Sequence, residues 1–352
     1  MRAKSYLDLH GEMSADIDAE RNAALDMLGP AAASVRAAVA ELLAHRTFAY
    51  PHSVLPMIVH GVETGAPGPA VPLAVVHELW WTSACYLDDL ADGQAVLAAG
   101  ALRESEALLA TVISGIPLPL LVVQSPRIPE EARGPLSAEI VRCWIGATEG
   151  QLRDLRADVD EVTCDAVVTA YLGKSGAPYS MVTAMAARLA GCSDERVELW
   201  REFGNVFGIL WQLFNDQQDI LTGRDEDLAN GTVTYLLACA VENAGPDSAA
   251  DVLGLHAAGR HSPEGREALT GVLLAPDVLR RYEEDISAFR DRAHRLLREL
   301  GGDAAHSAVL RDFVDRASPM LLRAPNRSPG RSRPSSDGDV AAPSTPTGTG
   351  RA

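Results

Sequence analysis

The chain has 352 residues, room for one large domain or two ordinary ones with a substantial core. Its composition, 47% hydrophobic and 22% charged, is that of a globular protein. A net charge of −17 argues against nucleic acid or an anionic membrane as the main partner, because both need basic surface. It leaves a diphosphate substrate open, since bound divalent cations reverse the local sign.

In chain order, residues 1–16 carry charge and no apolar run, so they are expected to be a flexible segment without a signal peptide. From residue 17 to 323, apolar residues recur at spacings of three and four. This predicts helices around 17–45, 70–90, 95–113, 136–156, 161–190, 194–221, 232–243, 249–258, 276–300 and 303–322. Breaks fall at Pro and Gly clusters such as GAPGP, GIPLPLL and AGPDS. Alternating β-branched strands are absent, so the reading is one all-α domain over 17–323. No run of eighteen uncharged apolar residues is read, and no transmembrane helix is expected. Residues 324–352, rich in Pro, Gly, Ser and Thr, are expected to be a disordered tail. Cys85, Cys143, Cys164, Cys192 and Cys239 are scattered in apolar helical contexts. They are read as buried thiols of a cytoplasmic protein, with neither a zinc site nor a disulfide framework.

The first chemical signal is HELWWTSACYLDDLADG, residues 77–93. In a helix Asp88 and Asp92 lie one turn apart on one face with Asp89 beside them. Like charges so placed repel, and hard divalent cations with oxygen ligands are a common compensation. A solvated acidic helix end would read the same way. The nearly uncharged approach through Trp80, Trp81, Ala84, Cys85 and Leu87 favours carboxylates aimed into a cavity.

The second signal is GNVFGILWQLFNDQQDILTG, residues 204–223, where Asn215 and Asp219 are i,i+4 with Asp216 between them and Gln212 one turn earlier. Buried unpaired carboxylates cost several kcal/mol, so this helix needs metal, cation or hydrogen-bond partners. A polar network tying helices together is the alternative. Between the two motifs, Lys174 in YLGKSGAPYSMVTAMAARLAG (171–191) sits among Gly, Ser and Ala, a setting suited to a phosphate oxygen or to a snorkelling surface lysine.

Taken together, these segments resemble the trans-isoprenyl diphosphate synthase (polyprenyl synthetase) family over roughly residues 35–320. HELWWTSACYLDDLAD is similar to its ELLHxxSLIHDDxxD stretch, and GQLRDL (150–155) to its GQxxDL. YLGKSGAPY is similar to its KTA helix, WQLFNDQQD to its FQxxDDxxD, and DLANGTVT (227–234) to its DLxxGKxT. The resemblance implies an all-α isoprenoid synthase helical bundle around a central cavity, a homodimer, and three Mg²⁺ around an allylic diphosphate. It makes Asp88, Asp89 and Asp92 the first metal ligands and Asp216 the second, with Asn215, Asp219 and Gln212 assisting. Lys174 would contact the diphosphate. Trp81, Ser83, Ala84, Tyr86, Phe207, Trp211 and Thr232 are the further substrate-binding expectations.

The departures concern the site for isopentenyl diphosphate. Thr47 and Tyr50 in RTFAYP stand where the family has lysine and arginine, Trp81 where it has histidine, and Thr232 where it has lysine. The arginine pair after the first motif is missing. Each lost cation removes a charge-assisted phosphate contact worth about 1.5–3 kcal/mol. The leading expectation is therefore a terpene cyclase that ionises a C15 or C20 prenyl diphosphate and lets the cation meet its own double bond. The alternatives are prenyl transfer to a non-diphosphate acceptor, elongation through replacement charges such as Arg103, Arg142, Arg153 or Arg224, and an inactive regulatory subunit.

Overall fold

The computed structural model describes residues 4–45, 51–91, 101–156 and 162–324. Asp92, the Thr47 and Tyr50 positions and the tail beyond Ala324 lie outside the described residues. The first helix, α1 (Tyr6–Asp26), opens with a capping box. The Ser5 hydroxyl accepts from the Asp8 N–H, and the Asp8 carboxylate accepts from the Ser5 N–H. It buries Tyr6, Leu9 and Ile17, and the Tyr6 ring stacks on Phe313 at 4.2 Å. This corrects the expectation of a flexible segment up to residue 16, as far as residues 4–16 are described. The charges there occupy one face, while 6, 9, 13 and 17 form an apolar stripe at helical spacing.

The chain continues through α2 (Ala33–His45), α3 (Leu55–Thr64), α4 (Val71–Ala91), α5 (Glu104–Gly115), α6 (Pro117–Gln124) and α7 (Glu130–Leu155). After α8 (Cys164–Tyr171) comes one π-helical turn, Leu172–Gly176, which runs into α9 (Ala177–Leu189). Then follow α10 (Asp194–Thr222), α11 (Glu226–Asn230), α12 (Tyr235–Gly259), α13 (Pro263–Leu273), α14 (Pro276–Leu300) and α15 (Ala304–Ala317). Among the described residues there is no strand, and the all-α bundle read from the sequence is the fold. The AGPDS break is real, because α12 is kinked at Gly245, with φ 69°.

The centre of the bundle is the pair α9 and α10, joined by a four-residue turn and packed along their length. α9 leans on α3 and α7, and α10 on α14. Two close approaches set the geometry of the polar centre. A Cβ at Gly208 of α10 would sit 2.4 Å from the Ser175 carbonyl oxygen, so only glycine lets α10 lie against the π turn. Gly150 of α7 and Gly173 of that turn face each other: a Cβ on Gly150 would come within 2.4 Å of the Lys174 backbone nitrogen and 2.7 Å of Gly173, and one on Gly173 within 2.6 Å of the Gly150 Cα.

Glu104–Gln124, comprising α5 and α6, is long and apolar enough by length and composition alone to cross a membrane, although it includes Glu104 and Glu106. Half of it is buried inside the bundle, where α5 packs on α2 and α4, and α6 on α4 and α7.

Candidate active site

The polar centre lies where the C-terminal ends of α4, α7 and α10 meet the π turn. Asp88 sits in the last turn of α4, half-exposed. It accepts 2.8 Å from the Gln151 amide and pairs with Lys174 at 3.1 Å. Lys174 also reaches Asp154 of α7 at 3.1 Å. Burial disfavours the lysine charge, but the two carboxylates outweigh it and raise its pKa. The Gly150–Gly173 contact is what makes this bridge short enough, since it presses α7 against the turn that carries Lys174. Asp89 is also partly buried on α4.

The second motif is more deeply enclosed. Asp216 is 4% exposed, and both its oxygens are engaged: the Tyr171 hydroxyl donates at 2.6 Å and the Gln212 amide at 2.9 Å. Gln212 in turn accepts 2.6 Å from Ser175 of the π turn, and Tyr171 accepts 3.1 Å from the Tyr235 N–H. Asp219, 3% exposed, holds the following turn by accepting from the backbone N–H groups of Glu226 and Asp227, both at 3.2 Å, with Arg224 at 3.6 Å. Asn215 is partly buried on the neighbouring face of α10.

This enclosure leaves an excess of negative charge. Burial pushes the Asp216 carboxyl up to about 7, although its hydrogen bonds and Lys174 act in the opposite direction. Burial, helped by Asp216 and Asp219, pushes Asp227 up to about 8. A cluster of this kind favours a cation.

The other predicted substrate residues divide between two faces of α4. Trp81 and Ala84 share the face of Asp88 and are partly buried. Below them Trp81 meets His77 at 5.7 Å and Tyr179 at 5.4 Å, while Trp80 packs on Trp144 at 4.8 Å. Ser83 and Tyr86, expected at the substrate, instead face α5. The Ser83 hydroxyl donates to the Leu79 carbonyl at 2.9 Å and Tyr86 to the Glu104 carbonyl at 3.1 Å, because 79, 83 and 86 form the opposite stripe of the helix. Phe207 is fully buried among Tyr179 at 5.1 Å and Phe313 at 4.7 Å, and Trp211 lies 4.1 Å from His52. Thr232 is tied to the second cluster through the Asp227 carbonyl, which accepts its N–H at 2.9 Å.

Of the arginines considered as replacement cations, Arg142 is bound up with Arg188 and Arg201 around the buried Glu139, and Arg103 caps α5 through Glu106. Arg224 and Arg153 adjoin the site. Arg153 pairs with Glu149 at 2.9 Å. It lines a cleft of about 360 Å³ with Arg156, Leu152, Val167 and Val233, and Asp154 forms one wall. Gln151, Asp154, Tyr171, Ser175 and Asp227 were not assigned roles from the sequence. Gln151 and Asp154 had a signal in their i,i+3 spacing within GQLRDL, whereas the Tyr171–Asp216 contact joins positions 45 residues apart.

Residues 133–268 match the profile described as Polyprenyl synthetase. The nonaprenyl diphosphate synthase of Mycobacterium tuberculosis (strain ATCC 25618 / H37Rv) is 29% identical over 147 residues, which is 38% of this chain and 44% of that one, so the chain matches less than half the length of that relative. A geranylgeranyl pyrophosphate synthetase from Pyrococcus horikoshii Ot3 superposes with a TM-score of 0.72 at 18% identity, covering 89% of this chain and 98% of that one. A geranylgeranyl pyrophosphate synthase from Corynebacterium glutamicum, complexed with isoprenyl diphosphate and magnesium, superposes with a TM-score of 0.70 at 17% identity, covering 86% and 97%. At such identities the superpositions establish the fold. Within that fold, residues 133–268 are the part of the chain that matches the polyprenyl synthetase profile.

Proposed function

We propose that the protein is a prenyltransferase that ionises an allylic prenyl diphosphate with Mg²⁺ and passes the prenyl group to a second substrate. The expectation of cyclisation as the main activity gives way here. The family match and the relatives, named as diphosphate synthases, support transfer. The observation that carries the reading is Lys174, held between Asp88 and Asp154 and facing the enclosed Asp216 across the π turn.

Mg²⁺ suits the donor set, which is all oxygen and carries surplus buried charge. Among the described residues no three His, Cys, Asp or Glu side chains already converge on a metal position, and Asp92 lies outside them. Asp88, Asp89, Asp216 and Asp219 would hold the ions, which neutralise the diphosphate and stabilise it as a leaving group. Lys174 exchanges a carboxylate partner for a phosphate oxygen. Tyr171 and Gln212 fix the orientation of Asp216. The face of α4 that carries Ala84 and Trp81 takes the prenyl chain and keeps water from the cation. The arginine-lined cleft beside Asp154 gives an anionic acceptor a place to approach.

The test is incubation with Mg²⁺ and C10, C15 or C20 prenyl diphosphates, with and without isopentenyl diphosphate. A longer diphosphate formed only with the second substrate is the expected result. A hydrocarbon or terpene alcohol formed from the allylic substrate alone would sink transfer and favour cyclisation. That second reading is kept alive by Trp81, an aromatic wall against Tyr179 on the face of Asp88.

We also propose that the working form is a homodimer. Leu109 and Val112 of α5 with Ile116 just after it, and Val141, Ile145 and Leu152 of α7, form exposed aliphatic stripes, with Leu109 and Ile145 more than two-thirds exposed. The stripes are uncharged, so a second copy meets them without the repulsion expected of a chain with net charge −17. Sedimentation velocity of Ile145→Asp should then give a monomer; an unchanged species on which this substitution has no effect excludes the surface.

A further inference from the structure

Two cysteines far apart in the sequence meet in the structure. The Sγ of Cys164, first residue of α8, lies 3.7 Å from the Sγ of Cys239 in α12, although 75 residues separate them. The pair is not equivalent in its surroundings. Cys239 is fully buried, whereas Cys164 keeps 6% exposure. Arg281 of α14 donates to the Cys164 sulfur at 3.5 Å and is itself held by an ion pair with Glu242 and a 3.2 Å bond to Asn243. The Cys164 N–H donates to Glu242 at 2.7 Å, which fixes the start of α8 against α12.

We infer that Cys164 and Cys239 are a modification site, an oxidisable dithiol that a hydroperoxide closes into a cross-link between α8 and α12. The hydrogen bond from Cys239 and the nearby Arg281 lower the Cys164 pKa against the effect of burial, so Cys164 is the nucleophile. Its contact with Cys164, and then burial, raise the Cys239 pKa, which keeps that thiol protonated. The Cys164 thiolate attacks the peroxide O–O bond. This gives a sulfenic acid and, after one proton is taken up, water. The Cys239 sulfur then displaces the sulfenic oxygen, its proton leaving with that oxygen as a second water. The balance is two thiols and one hydrogen peroxide to one disulfide and two waters. The sulfurs need to approach from 3.7 Å to about 2.05 Å, so closure draws the first turn of α8 toward α12.

The same two helices meet again at Tyr171 and Tyr235, two turns along α8 and one turn before Cys239, where the Tyr171 hydroxyl links both to Asp216. Oxidation therefore clamps the seam on which the Asp216 hydrogen bonds depend.

The experiment treats the full chain with a small excess of hydrogen peroxide under native conditions, followed by non-reducing peptide mapping, thiol titration and thermal unfolding. The expected result is a Cys164–Cys239 peptide, loss of two of the five titratable thiols, and a midpoint higher by roughly 5 °C that dithiothreitol reverses. Cys239→Ser should leave Cys164 as a trappable sulfenic acid with no cross-link. A cross-link that forms only in urea, or oxidation of Cys164 to the sulfinic acid without pairing in the folded wild type, overturns the assignment. None of these readouts depends on prenyl transfer, so they stand apart from the proposed activity.

Discussion

The two aspartate clusters are built to different degrees. At the end of α4, Asp88 is half-exposed and its partners are other charged or polar side chains, Lys174 and Gln151, which a substrate can displace. On α10, Asp216 and Asp219 are nearly inaccessible, and hydroxyl, amide and backbone donors hold them. The Asn215 position, where the family has aspartate, removes a charge from the cluster that already carries the larger surplus. The difference separates a rigid, enclosed acidic half from a responsive, more open one; under the proposed function the first would hold cations and the second would reorganise around the diphosphate.

The largest effect should come from the responsive half. Asp88→Ala or Asp89→Ala is expected to lower turnover at least 10²–10³-fold, because a ligand to the leaving-group cation is lost. The unfolding midpoint should stay within about 2 °C, since Asp88 is half-exposed. Full activity in both variants would refute the metal assignment.

The rigid half should behave in the reverse manner, with a clear effect on stability. Asp216→Asn is expected to reduce turnover by a similar factor while raising the midpoint of the metal-free protein at pH 8, because a buried charge disappears. A lower midpoint at pH 8 would show that the ionised form contributes to folding.

The pH dependence sharpens this further. The folded-state values of Asp216 and Asp227, about 7 and about 8, lie above the ordinary 3.8 of an unfolded carboxyl. In that interval the native state binds more protons than the unfolded state, so their contribution is complete below pH 4 and is lost as pH rises through 7 to 8. In EDTA the midpoint should therefore fall between pH 5 and pH 8. Mg²⁺ should reduce the fall, and the Mg²⁺-induced shift should grow with pH. A metal-free midpoint that is flat or rises over this range would contradict the enclosed-charge description.

The smallest effect is expected from Tyr171→Phe, which leaves the Tyr235 N–H and one Asp216 oxygen without the shared hydroxyl. A loss of about 1–3 kcal/mol in stability and roughly tenfold in turnover should result. Turnover equal to the wild type would show that Asp216 does not need this support.

Local periodicity was enough to read most helices, because an apolar stripe at spacings of three and four is present in the sequence whatever it packs against. α10 and α14 were placed to within one residue, and the break at Gly245 was legible from AGPDS. α1 was missed at its start because its stripe is thin and interleaved with charge. Asp88, Asp89 and Asp216 were legible because clustered carboxylates on apolar helices are electrostatically odd wherever they occur. What those carboxylates bond to was decided by tertiary structure alone. The Lys174–Asp154 bridge depends on two glycines of different helices touching, and the partners of Asp216 come from α8 and from Gln212 on α10 itself. The facing of Ser83 and Tyr86 toward α5, and the meeting of Cys164 with Cys239, likewise depend on which helix lies opposite. Propensity and pattern act over a few residues of one chain segment, whereas these contacts are set by the packing of elements tens of residues apart.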